Sequence, residues 1–172
     1  REAGHVVGIE AEYEGQIVRI HARKGVILAT GGAEWDEVSN RRNIRRPFSG
    51  PATNPESDGD GHRMASELGL PLALMSESHW VVAFRLPGDV VDGKQLHRSC
   101  LLERSSPHSI IVNRRGYRFV NEAMPYNDLV NTVVHSWNAA QYEFPNDPMF
   151  LIVDQQFRER YALAGVFPGM PD

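Results

Sequence analysis

The stretch Lys24-Gly25-Val26-Ile27-Leu28-Ala29-Thr30-Gly31-Gly32-Ala33 constrains this chain more than any other. A short apolar run leaves a basic turn, passes through Ala-Thr and stops on paired glycines. Such a run predicts a buried strand over 26–30 that carries main chain to a close approach. Glycine lets backbone come near a ligand with no Cβ in the way. A buried strand that ends in a plain turn is the other reading of the same residues.

Composition sets the bounds. At 172 residues and 41% hydrophobic, the chain can bury the core of one domain, or of one domain and part of another. Charged residues make up 23%, the globular range, so a folded chain is expected. A net charge of −4 gives no general attraction to nucleic acid or an anionic membrane. The local exception is Arg41-Arg42-Asn43-Ile44-Arg45-Arg46, either a solvated face or a basic patch. No apolar run approaches the roughly 20 residues that span a bilayer. Cys100 is the one cysteine, which excludes an intrachain disulfide and a cysteine metal site. A reducing, cytoplasmic setting is expected.

Residues 5–12 and 16–22 are β-rich and joined by Tyr13-Glu14-Gly15, a hairpin signal. Residues 34–46 are charged and predicted helical, with Glu34, Asp36 and Glu37 at the positive end of the helix dipole. Pro47 to Pro55 reads as loop, and a helix is predicted over 60–69, stopping at Gly69 ahead of Pro71. Beyond about residue 80, turns at Leu86-Pro87-Gly88-Asp89 and Val91-Asp92-Gly93-Lys94 separate short strands. Ile110-Ile111-Val112 predicts a buried strand that turns at Arg114-Arg115-Gly116-Tyr117 into a second strand, Arg118-Phe119-Val120. Apolar spacing predicts a helix over 128–143, a buried strand at 149–153, and a last helix opened by Asp154.

Three motifs in order carry a resemblance: the strand ending in Gly31-Gly32, the turn Asp58-Gly59-Asp60-Gly61, and Ser109 to Glu122 with its Arg118-Phe119-Val120-Asn121-Glu122. Together they resemble the fumarate reductase, succinate dehydrogenase and 3-ketosteroid dehydrogenase superfamily of FAD flavoproteins, over nearly the whole chain. The resemblance implies an α+β chain: residues 1–70 as the β-meander end of an FAD-binding domain, and 71–172 as a substrate-binding, capping domain. It implies that Ala29, Thr30, Gly31, Gly32 and Asp60 contact FAD. On residue type alone, Asp60 is equally an N-cap. The family's opening Gly-x-Gly-x-x-Gly is absent, so an internal segment of a longer enzyme is expected. By itself that segment is expected neither to hold FAD nor to catalyse.

The substrate branch follows from departures within the motifs. Fumarate and succinate are dianions and demand cationic partners. In the dicarboxylate branch an arginine soon follows the signature, whereas Phe119 to Phe157 contains no arginine or lysine. That branch also carries a histidine where Val81 stands, with His79 and Trp80 just before it. Instead, Pro125-Tyr126-Asn127-Asp128 follows the signature, resembling the ketosteroid dehydrogenases with their tyrosine near this point. The resemblance implies that Tyr126 is the base beside the ketone and that Glu122 belongs to a proton path. The plain alternatives are a half-buried tyrosine and an Arg118–Glu122 ion pair. His79, Trp80, Phe84, Trp137 and Met124 either line an apolar pocket or are ordinary core. His62, His97, His108 and His135 show no metal-ligand spacing, so no metal is expected.

These residues point to a piece of an FAD-dependent oxidoreductase acting on a CH–CH bond beside a carbonyl, with a hydrophobic ketone such as a 3-ketosteroid as substrate. A fumarate reductase or succinate dehydrogenase flavoprotein is the alternative within the enzymes. A non-catalytic substrate-domain module is the alternative outside them.

Overall fold

The computed structural model describes residues 4–44 and 48–170, and shows a mixed fold of short helices and strands. Arg45 and Arg46 of the arginine run, and Pro47 at the head of the expected loop, lie outside the described residues. The chain opens with the expected hairpin. Strand β1 (Gly8–Tyr13) pairs antiparallel with β2 (Gln16–His21), with Tyr13 opposite Gln16. That register leaves a two-residue loop, Glu14-Gly15, with φ of 51° and 73°. Two consecutive left-handed residues make the turn whose twist matches a hairpin, and glycine takes the second without strain.

The strand expected over 26–30 does not form. These residues run as irregular chain, and Ile27 is 91% exposed. A strand that is apolar on both faces needs a sheet neighbour, and none of the four two-stranded ladders among the described residues supplies one.

Helix α1 (Glu37–Asn43) starts three residues later than predicted, on the last of the three acids. Asp36 caps it, accepting the Val38 and Ser39 N–H groups at 3.0 Å each. Helix α2 (Asp60–Glu67) starts on Gly59, whose φ of 89° puts it in the left-handed region. Asp60 is therefore the first helical residue and makes no side-chain cap, which corrects the capping alternative.

Four two-residue strands follow: β3 (Ala83–Phe84), β4 (Val90–Val91), β5 (Lys94–Gln95) and β6 (Arg98–Ser99). β4 and β5 form a second tight hairpin across Asp92-Gly93, and β3 pairs with β6. A 3-10 turn at Glu103–Ser105 then leads to β7 (Ser109–Val112).

β7 pairs with β8 (Phe150–Val153), antiparallel, with Ile111 opposite Leu151. The predicted 118–120 strand is reduced to one bridge between Arg118 and Val112. Helix α3 spans Tyr126–Val134, earlier and shorter than predicted. It stops because Ser136 bonds back to the Val133 carbonyl and the Asn138 side chain accepts the Ala140 and Gln141 N–H groups. Such side-chain bonds offer the backbone an alternative to helix. Trp137 accordingly leaves the helix and packs on Phe144, with ring centroids 4.9 Å apart. Helix α4 (Gln155–Arg160) is capped by Asp154, which accepts the Phe157 N–H at 2.9 Å.

Among the described residues, every buried apolar side chain lies between Cys100 and Phe157: Cys100, Ile111, Val112, Leu129, Val133 and Phe157. Burial, reinforced by Glu103, pushes the Cys100 thiol up to about 12, so it packs as an inert hydrophobe.

Replacing Asp36 by Ala removes both capping bonds of α1. Urea unfolding is expected to show a loss of about 1 kcal/mol, while Asp36→Asn retains most of the stability. Equal losses in the two variants would contradict the capping role.

Candidate active site

The two glycine motifs meet in the structure. The Gly59 N–H donates to the Gly32 carbonyl at 3.1 Å, and the Trp35 N–H donates to Ser57 at 3.0 Å. A Cβ built on Gly61 would lie 2.4 Å from Thr30 Oγ1, and one on Gly59 would lie 3.2 Å from the Ala33 Cβ. Residues 29–33 thus lie directly on the first turn of α2, a contact that only glycine at 59 and 61 permits. Ala29, Thr30 and Gly31 are exposed and Gly32 is partly covered. Asp60 is also exposed and ion-pairs with Arg63, which reaches Asp58 and Asp36 at 3.5 and 3.8 Å.

The signature segment folds into a clamp on β7. Glu122 is 6% exposed, and its Oε1 accepts the Ile111 N–H at 2.8 Å and Arg118 Nε at 3.0 Å. Its Oε2 accepts Arg118 Nη2 at 2.6 Å. Burial pushes the Glu122 carboxyl up, but the Arg118 guanidinium and the Ile111 N–H outweigh it and hold the group below the ordinary glutamate value. Both oxygens of this ionised carboxylate are therefore engaged, the geometry of the Arg118–Glu122 ion pair.

The sequence reading missed Arg104. It is 5% exposed, and its Nη1 donates to the Glu122 carbonyl and, at 2.9 Å, to the Met124 carbonyl. No local pattern separates a buried arginine that bonds only main chain from a surface one. Tyr126, partly buried, follows this clamped segment as the first residue of α3. The next residue, Asn127, accepts the Trp80 N–H at 3.2 Å.

Trp80 lines a cavity of about 1260 Å³, with His79 and Phe84 beside it. Phe48 meets Trp80 edge-on at 6.2 Å. Helix α3 supplies Val130, Val133 and Val134 to the wall. Among the described residues, its charged lining is Arg85 with three carboxylates, Glu34, Glu77 and Asp147. Burial lowers the His97 imidazole in this wall below its ordinary value; the Pro51 carbonyl opposes the shift and Arg85 adds to it. Of the predicted site residues, Gly32 lines the cavity. Tyr126, Glu122, Asp60 and residues 29–31 do not, nor do Trp137 and Met124. Among the described residues no group of His, Cys, Asp or Glu is arranged to hold a metal, and no helix is long and apolar enough to cross a membrane.

The Glu122 clamp carries a pH signature. A carboxyl held below its unfolded value stabilises the fold above that unfolded value, about 4.3, and the contribution is lost as pH falls through the folded one. Glu122→Gln keeps an acceptor for the Ile111 N–H and removes the titration. Below about pH 4.3 the wild type should lose stability more steeply than this variant in pH-resolved urea melts. Parallel curves would show that Glu122 is not held ionised by its partners.

Comparison with known proteins agrees with the motifs. Residues 1–167 match the family described as FAD binding domain. The chain is 39% identical over 162 residues to a 3-oxosteroid 1-dehydrogenase of Mycobacterium tuberculosis (strain ATCC 25618 / H37Rv), covering 91% of this chain and 27% of that protein. It is 35% identical over 153 residues to the 4-oxocyclohexanecarboxylate 2-dehydrogenase of Sinomonas cyclohexanicum, covering 89% of this chain and 26% of the relative. The 3-ketosteroid delta1-dehydrogenase of Sterolibacterium denitrificans, solved with 1,4-androstadiene-3,17-dione, aligns with a TM-score of 0.75 at 32% identity, over 98% of this chain and 29% of that one. The chain thus spans 27% and 26% of the two curated relatives. Since the family match runs through residue 167 and the fold is shared with a ketosteroid dehydrogenase, this chain belongs to the FAD binding domain family, in its ketosteroid dehydrogenase-like branch.

Proposed function

We propose that this chain is part of an FAD-dependent oxidoreductase that introduces a double bond beside the carbonyl of a hydrophobic ketone, a 3-ketosteroid being the leading case. The cavity wall carries the proposal. Among the described residues, Val81, Val82, Val130, Val133, Val134, Phe84 and Trp80 give the wall its apolar area. A ring ketone would gain from contact with that apolar area. The names of these two curated relatives carry an oxo group on a ring compound, which supports a ring ketone, and one of the two names also carries a single carboxylate.

FAD is the cofactor of this family, and the main chain at 29–31 fits it: the backbone is exposed and bears no side chain larger than threonine. Ala29, Thr30, Gly31, Gly32 and the carboxylate of Asp60 are the residues proposed to hold it. The cavity draws its wall both from residues before 70 and from residues after 71, which supports the division into a cofactor part, 1–70, and a capping part, 71–172.

Tyr126 is the proposed base. Its phenol oxygen takes a proton from the carbon beside the ketone and passes its own proton to solvent. A hydride leaves the neighbouring carbon, and the electron pair of the broken carbon–proton bond becomes the new carbon–carbon double bond. When bound, FAD supplies the hydride acceptor. Glu122 contributes by position, since its carboxylate is committed to Ile111 and Arg118.

Two expected outcomes test this in the flavin-loaded protein that contains the chain. Tyr126→Phe should lower kcat with a ketosteroid by about 10²-fold or more and leave KM nearly unchanged, because the ring surface is kept. Flavin reduction at the wild-type rate in single turnover would remove Tyr126 from the reaction. Asp60→Ala should reduce the flavin-to-protein ratio measured by absorbance, with apoprotein melting unchanged because Asp60 makes no cap. Full flavin content would show that Asp60 serves only Arg63.

A further inference from the structure

We infer that Arg104 is a positioning residue for Tyr126, locking the entry to α3 onto β7; this rests on the assignment of Tyr126 as the base. A buried guanidinium is costly unless it is well partnered. Arg104 is 5% exposed, and among the described residues it forms no ion pair with a carboxylate. Its Nη1 instead goes to two main-chain carbonyls, Glu122 and Met124, within four residues of Tyr126. The same short segment closes a turn of its own, with the Met124 N–H donating to the Asn121 carbonyl at 3.1 Å. α3 begins immediately after it, its first bond running from the Leu129 N–H to the Pro125 carbonyl at 3.0 Å.

The other end of the clamp is equally fixed. The Ser109 hydroxyl, on β7, has one proton to donate; it bonds the Ser106 carbonyl at 2.8 Å, with the Arg104 and Glu103 carbonyls farther off at 3.3 and 3.4 Å. The turn that carries Arg104 is therefore tied to β7 through Ser109, and the Arg104 side chain is tied to the 122–124 segment. Glu122 closes the same circuit from the opposite side, through the Ile111 N–H. A phenol on the residue that follows has its helix start held from two directions. Proton abstraction depends on such placement, and a displacement of about 1 Å can cost about 10²-fold in rate.

The test uses Arg104→Lys in the flavin-loaded protein that contains this chain. Lysine keeps the charge but cannot reproduce the guanidinium's planar array of donors. Arg104→Lys should lower the single-turnover rate of flavin reduction by about 10-fold or more, with KM little changed. In a Tyr126→Phe background it should cost almost nothing further, because both changes act on one proton transfer. Amide hydrogen exchange should quicken at 122–127 while the amides shared between β7 and β8 stay protected. Ser109→Ala should give the same pattern at smaller amplitude, and it carries the test if Arg104→Lys does not fold. Unchanged exchange at 122–127 overturns the inference, and so do rate losses that multiply in the double variant. A slow Tyr126→Phe enzyme with normal Arg104→Lys turnover overturns the inference alone. A normal Tyr126→Phe enzyme overturns the assignment of the base, and exchange then reports whether the clamp itself exists.

Discussion

The bond from the Ile111 N–H to the Glu122 carboxylate organises the better-packed part of this chain. β7 uses one edge for β8, which leaves the Ile111 donor on the other. An unpaired buried N–H costs free energy comparable to a lost hydrogen bond. A third strand would supply a carbonyl there. A carboxylate supplies the acceptor instead, so the chain can leave the sheet after Arg118 and form a turn and a helix. Arg118 keeps that carboxylate charged, and Arg104 holds the main chain on either side of Ala123. α3 begins at Tyr126, four residues after Glu122, and buries Leu129 and Val133.

The part before residue 100 is held by other means. It contains two tight hairpins, a capped helix and the glycine contact between residues 29–33 and 57–61, yet among the described residues it buries no apolar side chain before Cys100. Its order comes from hydrogen bonds and close backbone packing. Ile9, Ile17, Ile20 and Ile27 remain exposed. The cavity lies across both parts, bounded by Glu34 on one side and by α3 on the other.

Particular residues mark how far the sequence could be read. Gly15 announced its hairpin and Asp92-Gly93 its turn, because glycine takes the second left-handed position of each without strain. Asp154 announced α4 by its capping chemistry. The 26–30 strand was over-read, since an apolar run states that burial is wanted and not which strand provides it. α3 was over-extended, because Trp137 and Ala140 sit at helical spacing while Asn138 between them ends the helix by bonding its neighbours. The candidate flavin residues 29–32 and 60 were legible as separate motifs, and they do come together at Gly32, Gly59 and Gly61.

The sequence by itself determined the mixed helix and strand content, the turns and the family, because each is written in residues close along the chain. Only the tertiary structure decided that β8 and not 118–120 is the ladder partner of β7. It alone made Glu122 an edge cap, buried Arg104 against carbonyls, and gathered a cavity wall from stretches as far apart as Glu34 and Leu151. These are pairings between distant segments. Their energies depend on which donor finds which acceptor once water is gone, and that competition has no local signature.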